Sequence, residues 1–267
     1  MKWLSLITAV SILVILFILA YALVALGISG PPAPIGLRML GEKYLYYMIN
    51  QYHPFLSAGC PEGVSAILWD YRGLDTLYET MVLFAAIIGA VLVYRVYLYE
   101  SSRRGERIFG LSLIVRVVSR IVIWLTLITA LALGLTGQLT PGGGFVGGAA
   151  FAVIPVLLIL VYTAGYAEKL GFTKEKALLL RTLALISLLV LIITPYLFGG
   201  YIFQNQPKPG AANVFFPPRF IDQTPLGGSI FFLNLIEVFA VAGAFTLSFI
   251  LLAIVAGVRE RGDENES

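Results

Sequence analysis

An all-α membrane fold, with about six transmembrane helices and both termini cytoplasmic, follows from three observations. Hydrophobic residues make up 59% of the 267-residue chain and charged residues only 12%, against roughly 25% charged in a soluble domain. The apolar runs are continuous rather than alternating, and this selects helices over a barrel, because in lipid each backbone polar group must be satisfied within its own helix or a closed sheet. Lysine and arginine are dense and sparse in alternate loops, which fixes the orientation of the helices.

Six segments reach the roughly 20 residues that a bilayer core requires: about 4–27, 74–98, 111–135, 145–166, 178–199 and 229–256. The first, "MKWLSLITAVSILVILFILAYALVALG", has the basic start of a signal peptide. Its apolar run exceeds the roughly 7–15 residues of a signal h-region, and "ISGPPAPIG" offers no clear cleavage site, so a retained anchor helix is expected. The stretch after the second segment carries Arg95, Arg103, Arg104 and Arg107. The one after the fourth carries Lys169, Lys174 and Lys176, and the tail begins with Arg259 and Arg261. These three face the cytoplasm by the positive-inside rule. The alternate loops are poorer: Arg38, Lys43 and Arg72 are spread over a long first loop, 136–144 has none, and 200–228 has Lys208 and Arg219. The outer loops also hold "GPPAPIG" and "QPKPGAANVFFPPRF", whose prolines bar helix; ordered caps, partner contacts and plain connections all fit them.

"YESSRRGER", Tyr99 to Arg107, divides a two-helix unit, 1–98, from a four-helix unit, 108–257, with 99–107 as a cytoplasmic linker. The halves show no internal repeat, so a fusion of unlike pieces is expected rather than a duplication. The charged tail 258–267, "RERGDENES" at its core, reads as solvated and disordered.

One cysteine, Cys60, and one histidine, His53, leave no disulfide framework, no metal site and no iron–sulfur ligand set within this chain. His53 has no nucleophile placed against it in sequence, so hydrolysis is not indicated. A net charge of +3, much of it in short loops, does not indicate nucleic-acid binding.

"TPGGGFVGGAAF", Thr140 to Phe151, satisfies G-x-G-x-x-G from Gly142 to Gly147. A dinucleotide fingerprint needs a preceding strand and a soluble helix in a βαβ unit, but this stretch lies between two membrane segments. It is a turn at the outer face that runs into a helix N-terminus. Close packing of Gly144, Gly147, Gly148, Ala149 and Ala150 against another helix is one use for it. Attraction of an anion or an anionic side chain by the N–H groups at the helix start is the other.

Charges placed inside the apolar segments carry the chemistry. Arg72, Asp75 and Glu79, spaced i, i+3, i+7, line one face of the second helix, with Glu79 about 6 Å beyond Asp75 along the axis. Asp75 suits an interfacial position at the helix start. Glu79 lies deeper and must find a partner, take a proton or meet water, which fits either a proton or cation path or a structural hydrogen bond. Glu237 lies about 12 Å into the sixth helix and falls, like Glu79, in the outer half. Arg116 and Arg120 sit i, i+4 on the third helix. Snorkelling accounts for both, and a partner carboxylate or lipid phosphate is the alternative for Arg120.

These residues carry a resemblance. "LTPGGGFVGG" resembles the signature of the B-type membrane subunit of Mrp-type cation/proton antiporters and of its counterpart in archaeal membrane-bound hydrogenases and sulfane-sulfur reductases. Pro141, Gly142, Gly143, Gly144, Phe145, Gly147 and Gly148 fall on that motif. "AILWDYRGLDTLYETMVLFAAIIG" is similar to the acidic motif in the C-terminal part of the A-type Mrp subunit, which the archaeal complexes carry in a small membrane subunit, with Asp75 and Glu79 on its acidic positions. Tyr78 replaces the usual glycine, and Gln138 stands where many B-type sequences have histidine.

The resemblance implies a multi-pass cell-membrane subunit of a sodium/proton-translocating complex with Asp75 and Glu79 on the ion path; the placement of charges within the apolar segments adds Glu237 to that path and Arg72 and Arg120 as charge partners. It implies other membrane subunits as partners, together with the lipid bilayer, and in respiratory versions a peripheral ferredoxin-oxidising arm. Sodium ions and protons would be the transported species. No cofactor is expected in this chain, and any iron–sulfur or nickel–iron centre would belong to partner subunits. The alternatives are a structural scaffold without ion contact and a stand-alone secondary transporter, which would require inverted repeats.

Overall fold

The computed structural model describes residues 2–25, 36, 38–50, 52–53, 56–94, 111–205, 220–221, 224–225 and 227–266, with the side chains of 2–9, 11, 24, 220–221, 224–225 and 256–266 left aside. The linker 99–107 and nearly all of both proline-rich segments lie outside these residues. The described chain is helical: α1 Lys2–Ala25, α2 Met39–Met48, α3 Gly63–Ala66 continuing into a π-helical turn Ile67–Tyr71, α4 Gly73–Val93, α5 Leu113–Leu135, α6 Gly144–Val161, α7 Ala164–Lys169, α8 Lys174–Leu197 and α9 Ile230–Glu266. A two-residue antiparallel pairing, Phe220 with Pro225 and Ile221 with Thr224, leaves the all-α class unchanged.

Among the described residues five helices are long and apolar enough to cross a membrane: α4, α5, α6, α8 and the part of α9 from Ile230 to Val255. They coincide with five of the six expected segments. The sixth corresponds to α1, whose described apolar stretch is Ile12–Leu23. The chain is a multi-pass membrane protein.

The chain divides into two compact units, Met1–Glu42 and Lys43–Ser267. The first holds α1 and the start of α2, where the Glu42 N–H donates to the Arg38 carbonyl at 3.0 Å. The second contains all five spans around one central helix. Its α9 packs against α4, α6 and α8, while α5 packs mainly on α6. That centrality explains why α9 buries Leu233, Val238, Ala240, Val241, Ala242, Ala244, Leu247 and Leu251: small residues let neighbouring backbones approach, and the larger ones fill the seams.

Three boundaries depart from the sequence expectation. The fourth span ends at Val161 instead of continuing to 166, and the chain restarts as α7, whose first turn is capped by Thr163 Oγ1 accepting from the Tyr166 N–H at 3.2 Å. The loop before the second span is itself helical in part: Glu62 accepts from the N–H groups of Val64 and Ser65 and so starts α3, as acidic caps do. The tail expected to be disordered instead continues α9 as helix to Glu266. Its residues include good helix formers, and a helix already nucleated upstream propagates without a new nucleation cost.

Candidate polar site at the glycine turn

The site is built where the glycine turn meets α9. Gly143 adopts φ 101°, a conformation open to glycine at little cost, and its N–H donates to the Leu133 carbonyl at 3.2 Å. The turn thereby folds back over the end of α5 and starts α6 at Gly144. There α6 and α9 touch without an intervening side chain: a Cβ on Gly144 would lie 2.5 Å from the Asn234 carbonyl oxygen and 2.5 Å from both Cβ and Oε2 of Glu237. Gly147 closes in the same way on Ala130 and Gly134 of α5, and Gly148 on Val238 and Val241 of α9. Both uses foreseen for the glycines therefore coincide. Close packing brings a carboxylate onto the helix start, and Glu237 accepts a hydrogen bond from the Phe145 backbone N–H. The unpaired N–H groups and dipole of a helix N-terminus favour negative charge at that place.

Glu237 is buried, at 4% exposure, within the α9 span. The α9 span that carries Glu237 packs against α4, the helix that carries Glu79. Glu79 itself lies on the exposed side of α4. Asp75 is also exposed and pairs with Arg72, whose Nε donates to Oδ2 at 2.6 Å.

Arg120 is not brought to these carboxylates. It is exposed, and its Nε donates to the Tyr162 hydroxyl at 3.4 Å, about 25 Å along α6 from Phe145 at 1.5 Å per residue. Arg116 Nε donates to the Leu111 carbonyl at 2.8 Å. His53 is exposed in the first loop.

Sequence reasoning missed the residues that tie the first loop to the glycine turn. The Trp69 indole N–H donates to Asn234 Oδ1 at 2.9 Å, Asn234 Nδ2 donates to Ser65 Oγ at 3.3 Å, and the Ser65 hydroxyl donates to the Gly137 carbonyl at 2.7 Å. All three side chains are buried. Beside them the Gln138 carbonyl accepts from the Glu62 N–H at 3.2 Å and from the Cys60 thiol at 3.3 Å. Burial pushes the Cys60 thiol up to about 12, which keeps it a neutral donor. Gln138 is also buried, and its side-chain oxygen has no hydrogen-bond partner. The signal available in sequence was Asn234, one turn before Glu237 in an otherwise apolar run.

Arg181 was missed as well. It is 1% exposed on α8, donating from its two terminal nitrogens to the carbonyls of Ala240 at 3.2 Å and Thr80 at 3.3 Å. Counting loop charges for orientation passed over it, because it lies about two turns inside the helix.

Residues 114–247 match a family whose model is described as a domain related to the MnhB subunit of a Na+/H+ antiporter. An uncharacterized protein of Methanocaldococcus jannaschii is 26% identical over 210 residues, covering 72% of this chain and 77% of that protein. In fold the chain is similar to one in the structure of the membrane-bound sulfane sulfur reductase, an archaeal respiratory membrane complex. That match has a TM-score of 0.64 and 22% identity over 94% of this chain and 98% of the other. It is similar also to a chain of the Mrp complex from Dietzia sp. DQ12-45-1b, with a TM-score of 0.64 and 16% identity, covering 92% of this chain and 26% of that one.

Proposed function

The chain belongs to the family of domains related to the MnhB subunit of Na+/H+ antiporters, and on that premise we propose that it supplies Glu79 and Glu237 to a sodium/proton path in a multi-subunit membrane complex. Glu237 carries the proposal. A carboxylate buried in a membrane span and without a basic partner within ion-pair distance among the described residues is costly, and such groups mark ion and proton pathways. The N-terminus of α6 favours negative charge at Glu237, and the carboxylate of Glu79 is carried on α4, which packs against α9, the helix of Glu237. Asp75, paired with Arg72 one turn earlier, stands at the mouth of the path.

The host complex is an Mrp-like module whose other membrane subunits cover the Glu79 side of α4. The similarity in fold to a chain of the sulfane sulfur reductase complex supports a respiratory host, a membrane-bound hydrogenase or sulfane-sulfur reductase with a peripheral ferredoxin-oxidising arm that carries the iron–sulfur or nickel–iron centres. Six crossings with the basic loops inside leave both termini cytoplasmic. The chain is a fusion of two pieces, the first similar to the C-terminal part of the A-type Mrp subunit and the second of the B type. The test is Glu79→Gln in the assembled complex: sodium-dependent proton transport falls, and transport at the wild-type rate would remove Glu79 from the mechanism.

The Trp69–Asn234–Ser65–Gly137 hydrogen bonds favour a second reading, a scaffold that only ties helices together. It predicts that Glu79→Gln and Glu237→Gln lower the yield of complex while the complex that forms transports normally.

A further inference from the structure

The seam between α4, α8 and α9 changes character along its length. Toward the N-terminal ends of α4 and α9 it holds the buried polar residues Thr76, Thr80, Asn234 and Glu237. Further along, Ile87, Ala177, Ala244, Leu247 and Leu251 close it as an apolar cluster flanked by Leu83, Ala90, Val91 and Leu178. Arg181 stands at the change. Its guanidinium donates to the carbonyls of Ala240 and Thr80 and lies 5.5 Å from the centre of the Phe84 ring, while its Nε has no partner. Thr80 follows Glu79 directly, and Ala240 is three residues past Glu237, so the cation sits about one helical turn beyond the carboxylates. Gly243 holds it there. A Cβ at that position would lie 2.8 Å from the Ala177 carbonyl and 3.1 Å from Arg181 Cβ, so α8 and α9 meet backbone to backbone beside the arginine stem.

A guanidinium stays protonated in proteins, and no acid lies within ion-pair distance of this one among the described residues. Carbonyl oxygens and an aromatic face satisfy part of its hydrogen bonding and leave its charge in place. Packing alone does not account for it, because an apolar side chain of similar volume fills such a site at least as stably.

We infer that Arg181 is an electrostatic stop that closes the buried polar stretch around Glu237 to cations, making the α4–α8–α9 seam a blind end instead of a route through this chain. The inference rests on the proposed role of Glu79 and Glu237. A sodium ion or proton that moves past Glu237 meets a fixed positive charge, which bulk salt screens little at a buried position. Fixed positive charge excludes cations from membrane pores in this manner. Onward transfer then leaves by the side of α4 that carries Glu79.

The test uses the complete complex in phospholipid vesicles under a potassium–valinomycin potential, reading uptake of radioactive sodium and lumenal acidification without any driving substrate. Arg181→Met assembles and admits sodium or protons at least about tenfold faster than wild type, a change of one decade in a barrier-limited rate. Arg181→Lys, which keeps the charge, stays tight. Wild-type tightness in Arg181→Met, an equal leak in Arg181→Lys, or failure of Arg181→Met to assemble would each overturn the inference. Glu79→Gln vesicles, measured in parallel, separate it from its premise: unaltered coupled exchange there removes the carboxylate path, whatever the leak of the Arg181 variants.

Discussion

Two acidic sites in the same unit have opposite surroundings. On α4, Asp75 and Glu79 face away from the bundle, and Asp75 is satisfied by Arg72 one turn away. On α9, Glu237 is enclosed by α6 and held by a backbone N–H at a glycine-built helix start. The difference follows from the two helices themselves: α9 touches α4, α6 and α8, whereas α4 packs on α9 and on the π-helical turn that precedes it. A carboxylate on the central helix must be satisfied by this chain. One on the outward side of α4 is completed by water, lipid headgroups or a neighbouring protein of the complex. Position in the bundle, not residue type, decides whether an acid is internal machinery or part of an exposed face.

The largest expected effect breaks the comparison directly. Glu237→Gln preserves shape and removes the charge; it lowers coupled sodium/proton exchange by about two orders of magnitude, the scale of losing a proton-transferring side chain, in reconstituted complex of normal subunit content. Equal exchange in Glu237→Gln and wild type would leave the buried acid a packing residue. Gly144→Ala comes next. The added Cβ collides with the Asn234 carbonyl and the Glu237 side chain, and overpacking of this kind costs about 1–3 kcal/mol, visible as a lower thermal midpoint of the detergent-solubilised complex.

Trp69→Phe sharpens the contrast without touching a charge. It deletes the indole donor to Asn234 Oδ1 at a cost of about 1 kcal/mol, read in the same thermal assay. The smallest effect falls on the exposed side: Asp75→Asn breaks an ion pair whose side chains are 61% and 56% exposed, worth about 0–1 kcal/mol. A midpoint that drops as far as for Gly144→Ala would show that a further group relies on Asp75.

Much of the fold was legible from the sequence because lipid allows few solutions. Length and apolar continuity placed five spans near their observed positions, with errors where local capping overrode hydropathy, as at Thr163 and Glu62. The glycine stretch was legible as a turn and helix start, and the two open readings of it proved compatible once Glu237 was seen against Gly144. The spacing of Arg72 and Asp75 put them on one face, and the structure pairs them around one helical turn. The neighbour of Arg120 was not legible, because Tyr162 is 42 residues away, at the end of another helix.

That the chain crosses the membrane several times, where it turns, and which few charges must be accounted for can all be read from its residues in order. These follow from the cost of placing backbone and charge in hydrocarbon, a property of each segment taken alone. The packing of separate helices settled that α9 is central, that Glu237 rests on the start of α6, that Trp69 and Ser65 reach Asn234, and that Arg181 stands between buried polar residues and an apolar cluster. Each of these depends on which faces of separate helices meet. A uniformly apolar surface carries little record of that choice, because lipid and a neighbouring helix are nearly equivalent surroundings for a leucine.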